Sequence, residues 1–322
     1  MAAGITERSR MRNRLTAFVV ALLFLPPLAL SLSGKEWDAP KPIAGAVWLP
    51  ALLSTLAVLV FAILLDMLTL HRTRHSLLRS QRSYLLWSGV AGAVTCVLLA
   101  YLNLFAGAWF TPAGSATQAL LLAMLCGTAL LPAVLIARLS LAGLPGLVRL
   151  STRRLALPAL PNEAAASLLL LAALIGLLGG PVWIEYLGWL FWLSPLLLIA
   201  ALQLLWNEST IFSSLPQGDW SRLLLGAAAG IVVVGIALAT YRLGGGAIYF
   251  AADTWQLIAG SALFGLICLQ IGDVIAENWR GKPSPGCAAG AAAGFLRAIP
   301  TTPSTVISAR ALRGIKILRV FP

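Results

Sequence analysis

Long apolar runs separated by short polar stretches dominate this chain. Residues 15–31, 44–65, 84–105, 116–137, 164–183, 187–206, 223–241 and 255–271 carry no Asp, Glu, Lys or Arg. A bilayer core of about 30 Å takes roughly 20 mostly apolar residues per helical span, so each run predicts a spanning helix. None shows the polar stripe that a helix needs where it meets water. Lipid offers no partner to a free backbone N–H or C=O, which leaves helices or a closed barrel. A barrel would alternate polar and apolar positions over shorter segments. The pattern therefore predicts an all-α, polytopic protein with eight transmembrane helices.

Composition agrees with that class. The chain is 11% charged, against about 25% for a soluble domain, and its mean hydropathy is +0.89. Charge placement then sets the orientation. With the amino end in the cytoplasm, alternation of eight spans puts all Lys and Arg inside except Lys35, Lys41 and Arg242. This is the asymmetry of the positive-inside rule, and it predicts an N-in/C-in, multi-pass protein of the cell inner membrane. Basic loops beside anionic headgroups account for the net charge of +12, so the bilayer is the expected partner and nucleic acid is not.

Three segments follow: a basic cytoplasmic N-terminus (1–14), a transmembrane helical domain (15–277) and a basic, low-complexity cytoplasmic tail (278–322). The first run also has the shape of a secretory leader. Pro26–Pro27 within it, and the spans that follow, favour an uncleaved anchor. From Gly281 onward acidic residues vanish and Pro, Ala and Gly dominate as far as Pro303, a composition unsuited to folding alone. Arg310, Arg313, Lys316 and Arg319 interleaved with Ile, Leu and Val suit either an interfacial helix or a basic tail. A shift of reading frame would produce the same abrupt break.

Within the spans, the reading is structural. Cys96, Cys126 and Cys268 are expected to pack as small residues, and no C-x-x-C pair occurs. Gly226 and Gly230 in the seventh run, and Gly89 and Gly92 in the third, suit close helix contact. Asn103, Gln203 and Gln270 could bridge helices. Asp66 and Asp273 stand at cytoplasmic ends of spans, where snorkelling or pairing with nearby Arg is the ordinary expectation. His71 and His75 share a helical face, but Arg72 and Arg74 beside them would repel a cation.

Candidate chemistry gathers on the outward face. In the loop GKEWDAPKP, Glu36 and Asp38 project to one side if the chain is extended. They could share a proton, serve as a base or bind a hard cation through oxygen, or simply pair with Lys35 and Lys41. Glu185 and Asp253 add outward carboxylates. Arg242, followed by Gly244–Gly245–Gly246, offers a guanidinium fork and glycines that could let backbone N–H groups approach an anion; a flexible turn is the plainer reading. The outward Trp and Tyr residues read mainly as an interfacial belt.

An acidic pair in the first outward loop of a many-span helical protein resembles the GT-C class of membrane glycosyltransferases, such as polyprenyl-phosphate-dependent mannosyltransferases. The resemblance implies Glu36 and Asp38 as catalytic carboxylates, Arg242 on the phosphate of a lipid-linked sugar, and Glu185 and Asp253 as supporting polar groups. It implies no bound cofactor, with a divalent cation left open. The chain departs from the class in being short, in having no globular outer domain and in lacking an adjacent acidic pair. Two other classes stay open: a carrier or flippase for a lipid or small solute, and a scaffold subunit of an envelope-assembly complex that meets its partner through the basic cytoplasmic loops. The enzyme reading is preferred because it alone gives the outward acids a task.

Overall fold

The computed structural model describes residues 48–73, 76–111, 115–144, 146–147, 161–206, 208–251 and 253–280. Seven of its helices are long and apolar enough to span a membrane, and they match the second to eighth runs of the sequence one for one. The first run, 15–31, and the tail from residue 281 lie outside the described residues.

In chain order the elements are α1 (Trp48–Thr73), the short α2 (Leu77–Ser80), α3 (Arg82–Ala106), strand β1 (Trp109–Phe110), α4 (Ala116–Ala142), α5 (Asn162–Gly179), α6 (Ile184–Leu205), α7 (Ser221–Leu243), strand β2 (Tyr249–Phe250) and α8 (Thr254–Arg280). A 3-10 turn, Leu215–Gln217, lies between α6 and α7. Large apolar side chains along the spans face outward: Leu86, Val94 and Leu178 are 73%, 65% and 74% exposed. In a bilayer that surface meets lipid, and the protein is an integral, multi-pass membrane protein.

Element ends follow local chemistry. Ser115 caps α4 by accepting from the Gln118 N–H at 3.2 Å, which satisfies a donor that the first helical turn leaves orphaned. α3 ends at Gly107, whose φ of 58° is left-handed, a conformation glycine takes without a Cβ clash. α1 runs well past the apolar stretch that predicts it, through Asp66 to Thr73, and Thr69 and Thr73 return their hydroxyls to helix carbonyls there at 2.8 and 2.9 Å. α5 stops earlier than its apolar run, at Gly179–Gly180, where Pro181 has no N–H to continue the ladder.

α4 is the centre of the body. Leu131 and the run Ala133–Ala137 are all buried, together with Ala129, so this stretch of the helix is covered on every side. It packs on α3 and α1, and α7 packs on α1 and α4. α5 and α6 form a hairpin closed at Gly176, where an added Cβ would lie 2.6 Å from the Leu190 carbonyl oxygen. Gly226 and Gly230 of α7 meet α8: a Cβ at Gly230 would stand 2.4 Å from the Ser261 carbonyl oxygen and 2.5 Å from the Gly265 Cα. Glycines thus serve as the close-contact residues that the sequence suggests, since without a hydrophobic drive between helices in lipid, tight packing holds the seams.

Candidate functional site

Two polar zones form at opposite ends of the helices. Tyr84 at the start of α3, Gln203 near the end of α6 and Arg222 at the start of α7 all meet the C-terminal half of α8, and the Thr69 and Ser140 hydroxyls near the ends of α1 and α4 share a bond of 2.6 Å. These contacts put one set of helix ends on a common face. It carries Arg72, Arg79, Arg82, Arg138 and Arg222, and the positive-inside rule assigns it to the cytoplasm.

On the opposite face, β1 pairs antiparallel with β2, Trp109 facing Phe250 and Phe110 facing Tyr249. Asn103 fastens this clasp: its Nδ2 donates to the Trp109 carbonyl at 2.7 Å, and its Oδ1 accepts from the Ala108 and Trp109 N–H groups at 2.9 and 3.1 Å. The Trp109 ring lies 5.2 Å, centroid to centroid, from Trp192 of α6, within aromatic contact. Two loops and one helix from distant parts of the sequence are therefore tied together here. Asn103 does not bridge spans, as the sequence suggested it could; it ends its own helix and holds the loop that follows.

The residues singled out for chemistry stand on this face on separate elements. Glu185 is exposed in the first turn of α6, Asp253 is exposed just before α8, and Arg242 is half-buried in the last turn of α7. No ion pair joins these three to one another among the described residues. Glu36 and Asp38 lie outside the described residues. The glycines after Arg242 cap the helix: the N–H groups of Gly244, Gly245 and Gly246 donate to the carbonyls of Thr240, Arg242 and Tyr241, each at 2.9 Å, and Gly245 has φ 84°. Their N–H groups are thus committed to the helix end, where the dipole already favours cations, so any anion here would depend on the Arg242 side chain. No group of three or more His, Cys, Asp or Glu residues stands together for a metal among the described residues.

The face that carries the basic loops is the more highly bonded. Asp66, only 5% exposed, accepts from the Ser76 hydroxyl and from the Leu77 N–H at 2.9 Å. Ser76 in turn caps α2 by accepting from the Arg79 N–H at 3.2 Å. The carboxylate thus secures the loop between α1 and α3 by two charge-assisted bonds, which are roughly twice as strong as neutral ones, and Arg79 and Arg82 project from it exposed.

Deeper in, Gln270 of α8 donates to Gln203 of α6 and accepts from the Ile211 N–H at 3.1 Å. Ile211 belongs to the loop between α6 and α7, yet is wholly buried. Beside this lies the Arg222–Asp273 ion pair, and the Tyr84 hydroxyl donates to the Gly272 carbonyl at 3.1 Å. The expected bridging by Gln203 and Gln270, and the pairing of Asp273 with an arginine, are thus found; Asp66 instead holds the loop that follows its own helix.

Comparison with protein-family models, with curated proteins and with solved structures finds no match.

Proposed function

We propose that the chain is a membrane scaffold subunit of a cytoplasmic (inner) membrane, a packed helical body that presents an ordered basic loop to an acidic partner. The observation that carries this is the Asp66 tether. A buried carboxylate spends both oxygens on fixing the loop at Ser76 and Leu77, and the exposed side chains of that loop include Arg79 and Arg82. The interior is consistent with a scaffold, because Thr69–Ser140 and Gln270–Gln203 bonds tie separate helices together and the α3–α4 and α7–α8 seams close at glycine backbone. Those closed seams weigh against a carrier path through them.

A second reading, a glycosyltransferase-like enzyme drawing on a lipid-phosphate-linked sugar, is favoured by one placement: Glu185, Arg242 and Asp253 share the face opposite the basic loops. One experiment separates the two. In complementation of a strain lacking the chain, the scaffold reading expects Arg79→Glu/Arg82→Glu to lose function and a co-purifying partner, and Glu36→Gln/Asp38→Asn to retain both. The enzyme reading expects Glu36→Gln/Asp38→Asn to lose function and Arg79→Glu/Arg82→Glu to keep it, with membrane abundance unchanged in each variant.

A further inference from the structure

We infer that Arg138, beside the Arg222–Asp273 pair, holds the phosphate of an anionic phospholipid in the cytoplasmic leaflet. α4, α8, α3 and α7 meet at this point. A Cβ on Gly272 of α8 would lie 2.8 Å from a Leu135 methyl of α4 and 2.9 Å from the Tyr84 hydroxyl of α3, and Arg222 at the start of α7 pairs with Asp273. Arg138 lies one turn beyond Leu135 toward the end of α4, and the charged or titratable groups that act on it are Asp273, Arg222 and Tyr84.

Among the described residues, this corner holds two guanidinium groups and one carboxylate. Asp273 is engaged by Arg222, and each partner's side chain is about a quarter exposed (22% and 27%). Arg138 is half-buried and makes no hydrogen bond or ion pair among the described residues. A guanidinium has five N–H donors, and an uncompensated cation at the edge of the hydrocarbon is costly. A phosphodiester supplies the one missing negative charge, and its oxygens match the arginine fork.

The position selects the source of that phosphate. Arg138 lies within the last turn or so of a spanning helix, at headgroup depth, and the next residue, Leu139, is an apolar side chain 40% exposed on the lipid-facing surface. A ligand reaching this site along the membrane is therefore a lipid, and basic pockets between helices on the cytoplasmic side suit anionic headgroups.

The test uses the full chain purified in a neutral maltoside detergent, with phosphatidylglycerol, phosphatidylcholine or inorganic phosphate added. Phosphatidylglycerol is expected to raise the melting temperature and to appear as a retained adduct in native mass spectrometry, whereas phosphatidylcholine does neither. Arg138→Gln is expected to weaken phosphatidylglycerol binding by about tenfold or more, and Arg138→Lys, which keeps the charge but not the fork, by less. If Arg138→Gln does not fold, the lysine variant and the lipid selectivity of the wild type still decide. Equal response to the two lipids, full binding by Arg138→Gln, or equal protection by millimolar inorganic phosphate would overturn the inference.

Discussion

Gly92 of α3 and Gly127 of α4 face each other backbone to backbone: a Cβ on the first would lie 2.2 Å from the carbonyl oxygen of the second, and a Cβ on the second 2.4 Å from the carbonyl oxygen of the first. Neither helix can yield by moving a flexible side chain, because the obstacle is main chain. Gly92→Val is therefore expected to cost about 2 kcal/mol or more by forcing the helices apart. Gly260→Ala in α8, where an added Cβ meets nothing within 4 Å, is the control and should leave stability unchanged or slightly raised. Melting curves of the two variants in detergent check this, and equal stability would show that the α3–α4 seam is looser than described.

That contact was legible in the sequence only in part. Small residues at helical spacing mark Gly92, Gly226 and Gly230 as packing positions, because a missing side chain matters only where another helix comes close. Nothing in the spacing says which helix comes. The spans themselves were legible because the bilayer imposes length and polarity on each segment locally. Ile211, the Trp109–Phe250 pairing and the corner of Tyr84, Arg138, Arg222 and Asp273 were not, since each depends on segments far apart in sequence meeting at helix ends, where no periodicity operates. Gln203 and Gln270 could be read as bridging residues, but not as partners of each other.

Removing the anchor of the basic loop should loosen it without unfolding the spans. Asp66→Ala deletes the acceptor for Ser76 and Leu77, a local loss of about 1–3 kcal/mol. Proteolysis between residues 76 and 82 in inside-out vesicles is expected to accelerate several-fold, while Arg79→Glu/Arg82→Glu leaves it unchanged. Unaltered cleavage in Asp66→Ala would mean that the loop is held by something else.

The two glutamines are expected to be unequal. Gln270 serves both Gln203 and the Ile211 N–H, whereas the Nε2 of Gln203 is buried without a partner among the described residues. Gln270→Met therefore strands a buried backbone donor and an amide, at about 1–3 kcal/mol for the donor alone. Gln203→Met removes the unpartnered Nε2 and leaves the Gln270–Ile211 bond in place, but strands the Gln270 Nε2; with one donor stranded rather than a backbone donor and an amide, its cost should be smaller than that of Gln270→Met. Thermal melts of both variants decide; a larger loss in Gln203→Met would contradict the assignment.

The face opposite the basic loops depends on one amide. Asn103 makes three bonds to the two residues that carry the chain from α3 into β1, and β1 in turn holds β2 and rests on Trp192. A strand pair only two residues long has little stability of its own, so its persistence needs the side chain that fixes its entry. Asn103→Ala is expected to free residues 108–110 and 249–251 together, raising their amide exchange by about tenfold or more, since losing even one net hydrogen bond of about 1 kcal/mol approaches that factor. Asn103→Asp should retain part of the protection, because a carboxylate can still accept from Ala108 and Trp109 but cannot donate to the Trp109 carbonyl. If β2 kept its protection in Asn103→Ala, the clasp would be held from the α7–α8 side, and the amide would be serving only as a helix cap.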